Sequence, residues 1–349
     1  MRPGTTASAQ PPAAVVMGID LGGTKTHGAL AEENGAILAE RVYPTTADGA
    51  YETVVRCVVA LRAEAAALGR KIAAVGLGVP AVVQPRTGVV TGGPNVGWDG
   101  FALGDRLAAD LDLPIVVEND ADLAAVGEAR RGAGRAVSDF VVVSVGTGVG
   151  AAVVAGGRLV KGRHNAAGEL GSVVLDRPRF GQLSRGGPGT FEYSAAGPGL
   201  VRRAAMLLAG DGQAATASEL ASASLTAAAV FDAAGRGDPV ASATVAGLVD
   251  DMAVVLIALI ATLDPGLVIL DGSVGRALRP YLDDLHARVG RHVGSVPAIR
   301  VSSLTPTATL VGALVAAEEM AARGGTASQF GTLAASMELA ADPLVEPVR

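Results

Sequence analysis

Seven consecutive positions, 20–26, hold an acid, two glycines, two threonines and a lysine within the stretch VVMGIDLGGTKTHGAL of residues 15–30. An apolar run ends at Asp20, Gly22 and Gly23 follow, then Thr24, Lys25 and Thr26, and a second apolar run resumes at Gly28. This pattern predicts a strand, a tight polar turn and a second strand. Glycines carry no Cβ, so backbone N–H groups can crowd against a phosphate there. Thr24 and Thr26 add hydroxyl donors, Lys25 adds charge, and Asp20 is placed to hold a hydrated Mg2+ beside the phosphate. An ordinary glycine hairpin is the plain alternative, but it does not call for so many polar groups.

Residues 140–159, FVVVSVGTGVGAAVVAGGRL, repeat the arrangement with Gly146, Thr147 and Gly148 in the turn. Each unit turns once more about ten residues on, at Asn34-Gly35 and at Gly156-Gly157, as a hairpin would. Two copies of one unit, 123 residues apart from Thr24 to Thr147, predict a duplicated domain. Two such turns facing each other across a cleft can grip a polyphosphate from both sides.

The acceptor side of a transfer reaction would need a base and hydroxyl-binding groups. Glu118-Asn119-Asp120 stands where a predicted strand hands over to a helix, and ligands gather at such strand ends. Asp120 can take a proton from a hydroxyl that Asn119 orients; a plain helix cap is the alternative. Glu169, in Gly168-Glu169-Leu170-Gly171, and Glu192, in Gly189-Thr190-Phe191-Glu192, can accept hydrogen bonds from vicinal hydroxyls. Otherwise they are a loop acid and a helix start. Asn95, after Gly93-Pro94, is a further candidate in what is usually a simple turn. Gly272, in Asp271-Gly272-Ser273-Val274-Gly275, opens the backbone after a buried strand and can receive a nucleoside. His164, His286 and His292 show no metal-ligand spacing, and Cys57 fits an apolar helical pattern.

These groups need two α/β halves to carry them. Strands are expected at 15–20, 26–31, 36–43, 71–79, 114–117 and 266–270. Helices are expected at 49–68, 101–111, 121–131 and 310–322, with a long helical block over 198–263. The chain has 349 residues, of which 50% are hydrophobic and only 3% aromatic, so the expected core is large and aliphatic. A net charge of −6 argues against a nucleic-acid surface. A single cysteine rules out internal disulfides and fits a reducing, cytoplasmic setting. The first fourteen residues lack the apolar core of a signal peptide. The run 252–263 is too short to span a bilayer, and no membrane association is expected.

Taken together, GIDLGGTKT, the Pro-Asn loop with Trp98, ENDADLAAVGEA, VSVGTGVGAAVVAGGRLVKG, AAGELG and ILDGSVG resemble the ROK family of sugar kinases, relatives of glucokinase within the actin-like ATPase superfamily. The motifs follow the family's order over most of the chain. The resemblance implies an α/β fold of two actin-like (ribonuclease-H-like) domains with an interdomain cleft. The expected division is a tail at 1–14, domains at 15–136 and 137–323, the second with a helical insertion, and a tail or docked segment at 324–349. It implies ATP with Mg2+ as phosphate donor, a small sugar or cyclitol as acceptor, and a homodimer. Asp120 matches the family's base, and Asn119, Asp120, Glu169 and Glu192 match its sugar contacts. Gly23, Thr24, Lys25, Gly146, Thr147 and Gly272 match its nucleotide loops.

The chain departs from the family at its usual zinc site. Ser172 stands at the histidine position, and Leu183, Arg185 and Thr190 stand at the three cysteine positions. None of these replaces a soft thiolate around zinc, so no zinc site is expected. Loss of the histidine, also a sugar contact in the family, loosens the expectation of strict glucose specificity. Hexoses, amino sugars and valiolone- or valienone-type C7-cyclitols phosphorylated at the 7-hydroxyl remain open as acceptors, and polyphosphate as a donor. A reading of another class is a non-catalytic sugar-sensing regulator.

Overall fold

The computed structural model describes residues 14–93, 96–176, 178, 189–210, 213–222, 224–304, 307–324 and 329–330. The first half lays down β1 (Ala14–Leu21), β2 (Lys25–Ala31) and β3 (Ile37–Pro44), then α1 (Ala50–Ala67) and β4 (Lys71–Val79). Three short strands follow: β5 (Val82–Val83), β6 (Val89–Thr91) and β7 (Phe101–Ala102). Then come α2 (Leu103–Leu111), β8 (Ile115–Asn119) and α3 (Asp120–Arg131). The second half has β9 (Phe140–Val145), β10 (Val149–Ala155) and β11 (Arg158–Leu159). Helices α4 (Thr190–Ala195), α5 (Gly197–Leu208), α6 (Gln213–Ala217), α7 (Ala227–Gly235) and α8 (Pro239–Leu263) follow. After them come β12 (Leu267–Asp271), α9 (Gly272–Ala277), α10 (Leu282–Val289), β13 (Ala298–Val301), α11 (Ala308–Ala322) and β14 (Gln329–Phe330).

The duplication is visible in the sheets. The first runs β3-β2-β1-β4-β8, with β14 at its far edge, and the second runs β11-β10-β9-β12-β13. Pairing is antiparallel from β3 through β1 and parallel from β1 through β8. The second sheet repeats both directions strand for strand. The parallel strands are near-continuous apolar runs, because both of their faces are covered.

One face of the first sheet packs on α1 and α2, with Leu61, Leu107, Ile19 and Leu77 fully enclosed. A central apolar cluster then joins both sheets through α3 and α11: Val16 and Val116 meet it from the first sheet, and Phe140, Val142 and Ala152 from the second. The outer face of the second sheet packs on α5, α7, α8 and α10. At 25 residues, α8 is longer than the apolar run predicted within it. By length and composition it could cross a membrane, yet half of its most apolar window is buried in this core. The expected helical block divides into separate helices and begins earlier, at Thr190.

The expected boundary at residue 136 places α11 with the second half, but the helix packs against α3, β1 and β4 of the first. A Cβ on Gly312 would lie 1.8 Å from the Leu123 carbonyl oxygen, so only glycine lets α11 approach α3 this closely. At the opposite end Arg131 donates to Glu318 at 2.6 Å. The short sheet β5-β6-β7 has no counterpart among the expected strands; it occupies 82–102 and takes the first two residues of the helix expected at 101–111. Of the 324–349 segment, Gln329–Phe330 extends the first sheet in parallel with β8.

Candidate active site

The carboxyl ends of the parallel strands in both sheets deliver the candidate residues. Asp20 closes β1 in register with Gly78 of β4. The turn after it is tight, with Gly22 donating its N–H to the Lys25 carbonyl at 2.9 Å. Gly22 and Gly23 are half-buried, while Thr24 and Lys25 are exposed at the tip. Thr26 has a different place. It is fully buried, and its hydroxyl is 2.7 Å from that of Thr45, so it clasps β2 to the end of β3 instead of facing the cleft.

Asp20 is half-buried. Its Oδ2 accepts from the Thr307 hydroxyl at 2.9 Å. The same hydroxyl accepts from Leu310 N–H and so caps α11. Burial raises the pKa of Asp20, the Thr307 hydrogen bond and the His27 and Lys25 charges oppose that rise, and Asp271 adds to it. Asp271 ends β12, so its charge reaches Asp20 from the carboxyl end of a strand in the second sheet.

In the second turn Gly146 N–H donates to Gly148 at 2.9 Å, and the Gly146 carbonyl accepts from Gly197 at the start of α5. Thr147 is exposed at the tip. Gly272 has φ +76°, and a Cβ there would lie 2.4 Å from the Val145 carbonyl oxygen. Glycine is therefore what brings the β12–α9 turn against the end of β9 and beside Gly146. Asp271, nearly enclosed, accepts from Arg276 Nε at 2.8 Å.

Asn119 and Asp120 stand at the start of α3. Asn119 Oδ1 accepts from the N–H groups of Ala121 (2.9 Å) and Asp122 (3.2 Å), and its amide donates to the Ala81 carbonyl at 3.3 Å. Asn119 is thus the helix cap, with its side-chain orientation set by the backbone. Asp120 is half-buried, and Oδ1 accepts from Ala121 N–H at 2.8 Å. Its pKa is pushed up to about 7, by burial first and the Asp20 charge second; Glu169 and Asp122 add to the rise and the Ala121 hydrogen bond opposes it. A carboxyl titrating there suits a general base at neutral pH.

Glu169 precedes the short turn 170–172 and keeps much of its surface open to solvent. Even so, desolvation, and then the Glu192 charge, raise its pKa. Glu192 is half-buried on α4, and its Oε2 accepts from Val149 N–H at 2.8 Å. It therefore braces the strand that leaves the second glycine turn. Ser172 ends the 170–172 turn. The Thr190 hydroxyl accepts from the N–H groups of Leu175 (2.6 Å) and Asp176 (3.0 Å). Asn95, Leu183 and Arg185 lie outside the described residues.

Two contributors are not among the candidate site residues. Thr307 carries a legible signal, a threonine opening an apolar helical run. Lys161 lies near the end of the motif VSVGTGVGAAVVAGGRLVKG, but its burial against Glu118 and Asp122 has no signal there, because a loop lysine reads as solvated.

For Mg2+ the donor set is spare. Among the described residues no group of three or more acid, histidine or cysteine side chains is arranged to hold a metal. Asp20, desolvated and with one oxygen committed to Thr307, fits an ion held by a single carboxylate, waters and substrate phosphates, as Mg2+ commonly is.

Known proteins share this architecture. The chain is 28% identical over 305 residues to the glucokinase of Halalkalibacterium halodurans, covering 85% of this chain and 92% of that protein. It is 31% identical over 274 residues to the glucokinase of Thermotoga maritima, covering 75% and 83%. The crystal structure of a ROK family glucokinase from Streptomyces griseus in complex with glucose and AMPPNP superposes with a TM-score of 0.74 at 29% identity, covering 87% of this chain and 99% of that one. The sequence profile of the ROK family matches residues 16–320, and the chain belongs to that family.

Proposed function

We propose that this carbohydrate kinase transfers the γ-phosphoryl group of ATP to a hydroxyl of a hexose or sugar-like cyclitol, with Asp120 as general base. The observation that carries the reading is the position of Asp120 between two carboxylates. The charges of Asp20, which would be on the phosphate side, and of Glu169, which would be on the acceptor side, both act on it. A base so placed meets both substrates.

The acceptor hydroxyl sits against Asp120, with Glu169 and Glu192 accepting from neighbouring hydroxyls. As the acceptor oxygen bonds to the γ-phosphorus, its proton passes to the Asp120 carboxylate. The bond to the bridging oxygen breaks, and ADP leaves with that electron pair. N–H groups of the turns at Gly22–Lys25 and Gly146–Gly148 hold the phosphates in line, with Thr24, Lys25 and Thr147 at the exposed tips. Gly272 gives the nucleoside its place beside Gly146. Mg2+, held at Asp20, would offset phosphate charge. The walls of the cleft exclude water from the transfer.

A coupled ADP-release screen with ATP and Mg2+ across hexoses, amino sugars and C7-cyclitols tests this, with polyphosphate as a parallel donor. ADP release that depends on one class of polyol supports the reading. Release indifferent to every polyol, or none at all, contradicts it and favours a sugar-sensing protein without turnover.

A further inference from the structure

Lys161 is not part of the transfer chemistry above, yet it is buried against the two carboxylates that flank Asp120. It follows β11 and so belongs to the second half, while the carboxylates it meets, Glu118 and Asp122, flank Asp120 in the first. Lys161 Nζ is 2.9 Å from Glu118 Oε2 and also donates to Asp122. All three side chains are at most 8% exposed.

We propose that Lys161 is a positioning residue for the acceptor half of this site: its ammonium pins the loop that carries Glu169 to the strand end and helix start that carry Asp120. The proposal rests on the phosphoryl-transfer reading for its catalytic consequence only. The loop is short and held at both ends. The Lys161 carbonyl accepts from Ala167 N–H at 3.1 Å, and the Gly168 carbonyl accepts from Ala151 N–H on β10 at 2.9 Å. Between them the Asn165 amide donates to the Val83 carbonyl of the first half at 3.1 Å. Glu169 is therefore fixed on one side to β10 and on the other, through Lys161, to the residues either side of the base.

The physics favours a geometric role over a stabilising one. Bringing three charges out of water is costly, and a buried ion pair adds little net stability compared with apolar groups of the same shape. It does impose one arrangement. A lysine ammonium has three donors and no acceptor, so two carboxylates that share it must each lie along one of its N–H directions. Because Glu118 and Asp122 bracket Asp120, the loop can dock in only one register against the base.

The test uses the full chain with Lys161→Met and, because that change alone leaves two buried carboxylates facing each other, the charge-free companion Glu118→Gln/Asp122→Asn/Lys161→Met. Hydrogen exchange of residues 162–169 and steady-state kinetics with ATP and the best polyol of the screen are read on each. In the companion, exchange over 162–169 should accelerate, and kcat/KM for the polyol should fall about 100-fold, the usual effect of a small misplacement. KM for ATP should stay unchanged. Exchange left as in the parent, or a KM for ATP that rises together with that for the polyol, overturns the proposal. If the parent turns over no polyol, the phosphorylation reading fails, and exchange alone decides whether Lys161 holds the loop.

Discussion

Thr307 and Asp20, 287 positions apart, share a 2.9 Å hydrogen bond that joins the cap of the closing helix to the carboxylate of the first glycine turn. One hydroxyl does both tasks: it accepts from Leu310 N–H and donates to Asp20. The return of α11 onto the first sheet is thus tied directly to the end of β1 that carries Asp20.

Thr307→Val therefore removes a helix cap and a carboxylate partner together. Loss of the cap should cost about 1 kcal/mol in urea unfolding. Losing the donor should also raise the Mg2+ concentration needed for half-maximal turnover, since Asp20 is then held less firmly. A variant less stable but with the parent's Mg2+ dependence would show that Thr307 serves the helix alone.

Much of this was legible in the sequence, and for physical reasons. Both glycine turns, the parallel strand Lys71–Val79 and the helix following Asn119 follow from side-chain period and cap chemistry, which act over a few residues. The repeated strand order follows from two copies of one local pattern. The position of α11 does not, because it depends on Gly312 meeting Leu123 nearly two hundred positions away. Thr26 was read by residue type, whereas its partner Thr45 is set by the β2–β3 register. The charge of Lys161 suggests solvent for the same reason, and only the approach of the two halves buries it. Strands of two or three residues, such as β5 and β6, are too short to show a period.

The pKa of Asp120 sets a pH dependence of stability. Burial raises it from 3.8 to about 7, so the folded state binds the proton more tightly than the unfolded chain. Stability attributable to this group therefore falls as pH rises from about 4 to about 7 and is level above. Asparagine does not titrate and can still accept from Ala121 N–H. Asp120→Asn should raise Tm, and by more at about pH 8 than at about pH 5. An equal or smaller gain at the higher pH would mean that Asp120 titrates as an ordinary carboxylate. In the parent, kcat/KM for the polyol should fall below pH about 7 as the base takes up its proton.

Zinc is a separate matter. Thr190 stands where the family resemblance expects a cysteine, and its hydroxyl already accepts from two backbone N–H groups. The purified chain should contain no stoichiometric zinc by elemental analysis, and a chelator should leave Tm unchanged. Zinc near one equivalent per chain, lost together with stability on chelation, would contradict this.

The central claim concerns one carboxylate, and Asp120→Asn tests it most directly when polyol-dependent ADP release is read beside ATP binding by calorimetry. The account predicts turnover reduced about a thousandfold, within the range for loss of a general base, with ATP affinity close to the parent's. Turnover near the parent's level would remove Asp120 from the reaction.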